Sequence, residues 1–242
     1  MALLLMEIRA KLLEKMKSFK HLLIINFMKK TIKNLLLILV NFFSNKNYSQ
    51  NWSKQFIKNT KILDLRNLSL VLEIGCFEGL TSNYIVEKLL DKKNGKLICV
   101  DPLSDEYLGS NPLKKRLPYF YKQFDRFIFN TKRSRNKIEL MRVKSSESYK
   151  ELLQNYKNAF DLIYIDGDHR ASVVYNDAVN CFELCKNNGV LIFDDYTEGG
   201  DYLGEEATRH GVDKFLLKFI GKYEILFKNS QVALRKNETQ SL

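Results

Sequence analysis

An α/β fold built on a mostly parallel sheet is predicted by three observations. Two short apolar runs, Leu162–Ile165 and Val190–Phe193, are rich in β-branched or aromatic residues, as in strands buried on both faces. Between them Val174, Ala178, Cys181, Phe182 and Cys185 recur at helical spacing until Asn187, Asn188 and Gly189 supply a stop. Upstream, LVLEIGCFEGLTSNYIVEKLL reads as a strand, a glycine turn and a helix. Strand, helix, strand is a parallel crossover unit. Its strand ends emerge on one edge of the sheet, and ligands of open α/β sheets bind outside that edge.

Residues 1–49 read as a basic amphipathic helical segment ahead of a single domain spanning 50–242. Leu5, Ile8, Leu12, Met16, Phe19 and Leu23 fall on one helix face among lysines. Residues 1–64 hold 12 Lys/Arg against 3 Asp/Glu, leaving 27 against 25 for the rest, so most of the net charge of +11 belongs to the leader. A nearly neutral domain body argues against nucleic acid along its surface. Three destinations are open to the basic helix: an anionic membrane surface, the domain itself, or a second subunit of a homo-oligomer. The most apolar stretch, Asn34–Asn45, has 12 uncharged residues, short of the roughly 20 needed to span a bilayer. MKKTIKNLLLILVNFF has the charged and apolar parts of a signal peptide, but no small-residue cleavage site follows. Cys76, Cys99, Cys181 and Cys185 form no C-x-x-C pair, and three lie in apolar patterns. They are expected as buried, reduced thiols, which places the chain in the cytoplasm, at most peripheral to the inner face of a membrane.

The domain begins with a helix near Trp52–Thr60. A strand follows at Leu70–Ile74, then the turn Gly75–Gly79 and a helix over Thr81–Leu90. Glycines there permit close approach of a ligand to backbone, and the helix start offers free N–H groups. The turn is not the G-x-G-x-x-G of a dinucleotide site, because Phe77 takes the second glycine position. A second strand, Lys96–Val100, ends at Asp101, about 20 residues after the turn, where an acid accepts hydrogen bonds from ribose hydroxyls. A third strand is expected over Ile138–Val143, followed by KSSES. Ser145 and Ser146 then share the sheet edge with Asp101 and Asp166, where a turn or cap and an adenine-side contact are both open to serine. Tyr223–Phe227 and Gln231–Arg235 flank Lys228, Asn229 and Ser230 as a closing antiparallel hairpin.

The two central strands stop on acids: Asp166 and Asp168, with His169, after one, and Asp194 and Asp195 after the other. Carboxylates brought together raise each other's pKa unless a cation neutralises them. Hard oxygen donors without clustered Cys favour Mg²⁺, Ca²⁺ or Mn²⁺. Taken alone, the acids leave open the alternative that they cap helices and loops at the sheet edge.

The ordered set resembles a class I S-adenosylmethionine-dependent methyltransferase: Glu73 before the glycine turn, Asp101 ending strand two, IDGDH and FDDY at later strand ends, and a terminal hairpin. Within that class it is most similar to the small-molecule O-methyltransferases of the methyltransferase-24 type, over about residues 50 to 236. The resemblance implies a Rossmann-like, seven-stranded, mostly parallel sheet with one reversed strand. It implies Glu73, Gly75 and Gly79 around the methionine part of S-adenosylmethionine and Asp101 on its ribose. It further implies Mg²⁺ at Asp166, Asp194 and Asp195, with His169 as base and Asp168 contacting the cofactor or orienting His169. Asp195 stands where catechol-type relatives carry Asn, and Asp194 where sugar-type relatives often carry Glu. The implied activity is O-methylation of a sugar or other polyhydroxylated small molecule. A nicotinamide-dependent oxidoreductase and a noncatalytic, membrane-associated binding module are the alternatives. The polar, aromatic stretches after Asp101 and after Asp195, the latter carrying Arg209 and His210, are expected to cap the pocket.

Overall fold

The computed structural model describes residues 28–104 (30, 33 and 40 excepted), 122–197 and 204–238. The chain divides into two compact units, Met1–Asn47 and Tyr48–Leu242.

In the second unit, α1 (Lys54–Ile62) leads into β1 (Leu70–Ile74) and then α2 (Leu80–Tyr84), which widens into a π-helical turn over Ile85–Leu89. There follow β2 (Lys96–Val100), α3 (Gln123–Thr131), β3 (Ile138–Met141), α4 (Ser145–Tyr156) and β4 (Phe160–Ile165). The chain closes with α5 (Ala171–Leu184), β5 (Cys185–Phe193), α6 (Thr208–Lys218), β6 (Tyr223–Lys228) and β7 (Val232–Lys236). The seven strands form one sheet in the order β3-β2-β1-β4-β5-β7-β6. The pairs from β3 to β5 are parallel, and β7 runs antiparallel to both β5 and β6. This is the predicted mostly parallel sheet with a reversed strand and a terminal hairpin.

Each central strand is apolar on both sides because helices cover both faces. Leu72, Ile74, Ile98, Ile163, Ile165, Leu191 and Phe193 pack with α4, α5 and α6. Val71, Leu97, Cys99, Leu162, Tyr164, Val190 and Ile192 face the other way, toward Phe56 of α1, Ile85 and Leu89 of the π turn, and Phe127 of α3. All four cysteines are buried and free of disulfides.

Several boundaries differ from those predicted. The helical pattern extended to Cys185, but α5 stops at Leu184, and Cys185 adopts extended angles (φ −69°, ψ 131°) as the first residue of β5. Pairing of Cys185 with Phe160 draws the chain onto β4 there. Asn187–Gly189 then acts as an irregularity within the strand, with Asn188 at φ 62° and a register shift against Phe160/Leu162, rather than as a helix stop. β3 ends two residues early, at Met141. Ser145 and Ser146 are the first residues of α4, not a loop.

In the first unit, the described residues between 28 and 44 are helical. The predicted face Leu5–Leu23 lies outside the described residues.

Candidate active site

The sheet's hydrogen-bond ladder runs past the strand ends and pins the backbone of the candidate site. Gly75 N–H donates to the Val100 carbonyl at 2.9 Å, Asp166 N–H to Ile74 at 2.8 Å, Asp194 N–H to Ile165 at 3.0 Å and Asp101 N–H to Met141 at 3.2 Å. By strand alternation Glu73, Asp101, Asp166 and Asp194 share the parity of Val71, Cys99, Tyr164 and Ile192, the side covered by α1 and α3. Residues distant in sequence therefore converge on one edge.

Gly75 sits at φ +84°, and a Cβ there would lie 2.0 Å from the Asp166 carbonyl oxygen. The glycine turn and the acidic edge are thus in backbone contact, which only glycine permits. Gly79, at φ +78°, is crowded less severely: an added Cβ would lie 2.6 Å from Thr131 Cγ2. Glu73 is fully buried and accepts a hydrogen bond from Ser82 Oγ at 2.5 Å. Burial pushes its carboxyl up to about 8, against the lowering effect of Ser82 and Cys99. Its Oε1 has no hydrogen-bond partner, a buried acceptor of the kind that a bound donor group satisfies. Asp101 Oδ2 accepts from the N–H groups of Cys76 and Phe77, both at 2.9 Å, and Oδ1 accepts from Leu103 N–H at 2.8 Å. Burial still raises its pKa despite these three donors. Asp101 therefore shapes the glycine turn itself, and its Oδ1, which accepts one hydrogen bond, retains acceptor capacity for a ribose.

At the acidic edge the structure brings together Asp166, His169 and Asp195, whose donor atoms all lie within 4.8 Å of one another. His169 Nε2 is 3.2 Å from Asp195 Oδ2 and 3.9 Å from Asp166 Oδ1. Oxygen and nitrogen donors so spaced fit a hard divalent cation, whose ligands sit about 2.0–2.6 Å from the ion. Asp195 is at φ 52°, a left-handed conformation that turns it back toward His169. Burial, then the Asp194 charge, raise the Asp166 carboxyl to about 7, and His169 acts in the opposite sense. Asp194 is held differently: its Oδ1 accepts the Asp195 N–H at 2.8 Å, and its Oδ2 accepts from the Tyr164 hydroxyl. That hydroxyl also lies 3.1 Å from Asp166 Oδ2.

Tyr164 is the site residue that sequence reasoning missed. It is 1% exposed and sits two positions before Asp166 on the same face of β4. It is the one polar-tipped side chain in the run LIYI, and that was the available signal. Asp168 accepts from Arg170 N at 2.9 Å and Arg170 Nη2 at 2.6 Å. Although burial raises it, the guanidinium and N–H of Arg170 hold its carboxyl below the usual range. Ser146 is exposed on the first turn of α4, while its neighbour Ser145 bonds to Asp177. Arg209 and His210 are exposed at the start of α6. The expected pocket-capping stretches fall largely outside the described residues.

Another buried acid braces the turn from outside. Glu78 accepts from Arg126 Nη1 of α3 and from Ser49 N–H, both at 2.6 Å. Beside it, Trp52 stacks on Phe77 with ring centroids 5.2 Å apart.

A model of the methyltransferase domain family matches residues 72–196, just over half of the chain and the whole of the region just described. The chain belongs to this family. The match places the chain with the class I S-adenosylmethionine-dependent methyltransferases, as the resemblance implied, rather than with nicotinamide-dependent oxidoreductases. The methyltransferase is 29% identical over 157 residues to the uncharacterized protein R132 of Acanthamoeba polyphaga mimivirus, covering 63% of this chain and 62% of that relative's length. Among solved structures, its fold is similar to an O-methyltransferase from Bacillus cereus in complex with SAH (TM-score 0.57, 16% identity, 82% of this chain and 88% of that one). It is also similar to cofactor-bound Rv0187 from MTB (TM-score 0.55, 13% identity, 86% and 90%).

Proposed function

We propose that this methyltransferase transfers a methyl group from S-adenosylmethionine to a hydroxyl of a sugar or other polyhydroxylated small molecule, with the help of a divalent cation, Mg²⁺ in the first instance. The observation that carries this reading is the meeting of Asp166, His169 and Asp195 at the edge that touches Gly75. Glu73, Gly75, Gly79 and Asp101 would hold the methyl donor, with Ser146 at its adenine side, and Asp166, Asp195 and Asp194 the cation. When bound, the donor supplies an electrophilic methyl and the cation lowers the pKa of an acceptor hydroxyl. His169 Nε2 would take the hydroxyl proton as the oxygen bonds to the methyl carbon and the carbon–sulfur bond breaks, its electron pair leaving on the sulfur of S-adenosylhomocysteine. Asp195, 3.2 Å away, then stabilises the imidazolium that results. Asp166 anchors the acceptor side against the sheet edge, and the pinned backbone supplies positioning, the largest contribution open to a displacement of this kind.

A second assignment of His169 is favoured by one observation. Its Nε2 belongs to the compact donor set, whereas both Asp194 oxygens are already engaged. His169 would then be a cation ligand and Asp194 a support. Transfer of labelled methyl to a panel of sugars and polyols, with and without a chelator, tests the proposal; chelator-insensitive transfer would sink its cation part. His169→Ala decides between the assignments. As a base it slows transfer at unchanged Mn²⁺ affinity, and as a ligand it abolishes Mn²⁺ binding.

A further inference from the structure

The helical residues between 28 and 44 carry their apolar side chains outward. Met28, Ile32, Leu35, Leu36, Ile38, Leu39, Phe42 and Phe43 are all exposed, Phe42 by 79% and Phe43 by 81%. At 100° per residue these eight fall in one arc of roughly 160°. Thr31 interrupts that arc, and Lys29, Asn34, Asn41 and Ser44 lie outside it. Leu37, only partly exposed, is the described apolar residue that falls on the polar side. A contiguous apolar face of this size in water marks a surface that something covers.

Three properties select the cover. The face is broad, whereas a helix that pairs with a second copy in a coiled coil shows a narrow a/d seam. The segment is basic: residues 1–64 carry 12 Lys/Arg against 3 Asp/Glu, and Lys29, Lys30 and Lys33 fall between positions 28 and 44 of the sequence. Two copies meeting here would bring like charges together, and an anionic surface would attract them. Finally, the uncharged part of 12 residues is about 18 Å long as a helix, against the roughly 30 Å of a hydrocarbon core. Among the described residues no helix is long and apolar enough to cross a membrane. A helix with these properties lies in the plane of an interface.

We infer that residues 28–44 dock the protein on the surface of an anionic lipid bilayer, with Phe42 and Phe43 inserted among acyl chains and the lysines at the headgroups. The inference is independent of the reaction proposed above. Its test is co-sedimentation of the full chain with phosphatidylglycerol-containing vesicles and with pure phosphatidylcholine vesicles. Binding to the anionic vesicles is expected to be at least about tenfold stronger and to fall as salt is raised. It should be lost in the Phe42→Ser/Phe43→Ser double variant and weakened in Lys29→Glu/Lys30→Glu/Lys33→Glu, while both variants still bind S-adenosylhomocysteine, which reports an intact second unit. Full-chain protein that stays in the supernatant with anionic vesicles would overturn the inference. So would equal binding by the double variant, or a lipid-free dimer that the double variant dissolves.

Discussion

The Tyr164 hydroxyl has one proton and two carboxylates, Asp194 and Asp166, within its reach. It keeps two acids side by side at a buried edge and fixes where their remaining lone pairs point. Supports of this kind typically change metal affinity 10–100-fold when removed. Tyr164→Phe is therefore expected to weaken Mn²⁺ binding by about that factor in titration calorimetry, with S-adenosylhomocysteine affinity unchanged. Equal Mn²⁺ affinity would show that the hydroxyl positions nothing. Glu73 allows a second prediction. Its carboxyl titrates near 8 in the fold but near 4.3 in an unfolded chain. The folded state thus keeps a proton that the unfolded state loses as pH rises from about 4 to 8, and stability falls across that window. Glu73→Gln should flatten the fall, by on the order of a few kcal/mol between pH 5 and pH 8 in urea melts. An unchanged slope would assign the dependence elsewhere, with Asp166, raised to about 7, next in line and Asp177, raised to about 6, after it. Asp101, Asp166, Asp194 and Asp195 were legible because acids stand out against apolar strands. Tyr164 was not, because an aromatic in a buried strand is ordinary core until its hydroxyl is seen to have partners.

Elements were read well where one periodicity held and less well where two adjoined. Strands β1 and β2 came out residue for residue, since each is a run of apolar side chains bounded by polar residues or glycine. At Cys185 helical spacing continued by coincidence into the next strand, and only pairing with Phe160 marks the change. The π turn at Ile85–Leu89 left no trace in the sequence pattern, because one extra residue per turn shifts the buried face without breaking it. At this scale the turn between β1 and α2 is the most constrained feature. Gly75→Ala would place a Cβ 2.0 Å from the Asp166 carbonyl in a left-handed conformation. It should cost more than about 2 kcal/mol in chemical denaturation and reduce cofactor and cation binding together, because the two sites share that contact. Loss of one ligand without the other would contradict the shared wall. Glu78→Ala, which removes the buried carboxylate that the Arg126 guanidinium and the Ser49 N–H share, should destabilise the fold by about 1–3 kcal/mol.

For the whole molecule, the parallel direction of the central strands followed from the strand–helix–strand pattern. The insertion of β7 between β5 and β6 needed the resemblance, since a hairpin alone does not say which of its strands faces the sheet. The acceptor remained unread because the stretches expected to cap the pocket have neither helical nor strand periodicity. Ligands that bind only the folded form raise its stability by about 2.7 kcal/mol at a hundredfold excess over Kd. S-adenosylhomocysteine and Mn²⁺ should thus each raise the melting temperature of the full chain, and a flat response to both would count against the site.

The ladder bonds that carry Gly75, Asp101, Asp166 and Asp194 past the ends of their strands have a consequence for exchange with solvent. Amide protons in loop-borne sites are usually replaced through local openings. Here those four amides belong to the interior of the sheet, so their deuterium uptake should follow global unfolding and be as slow as that of Leu72 or Ile163. Turnover would then proceed over strand ends whose backbone does not open.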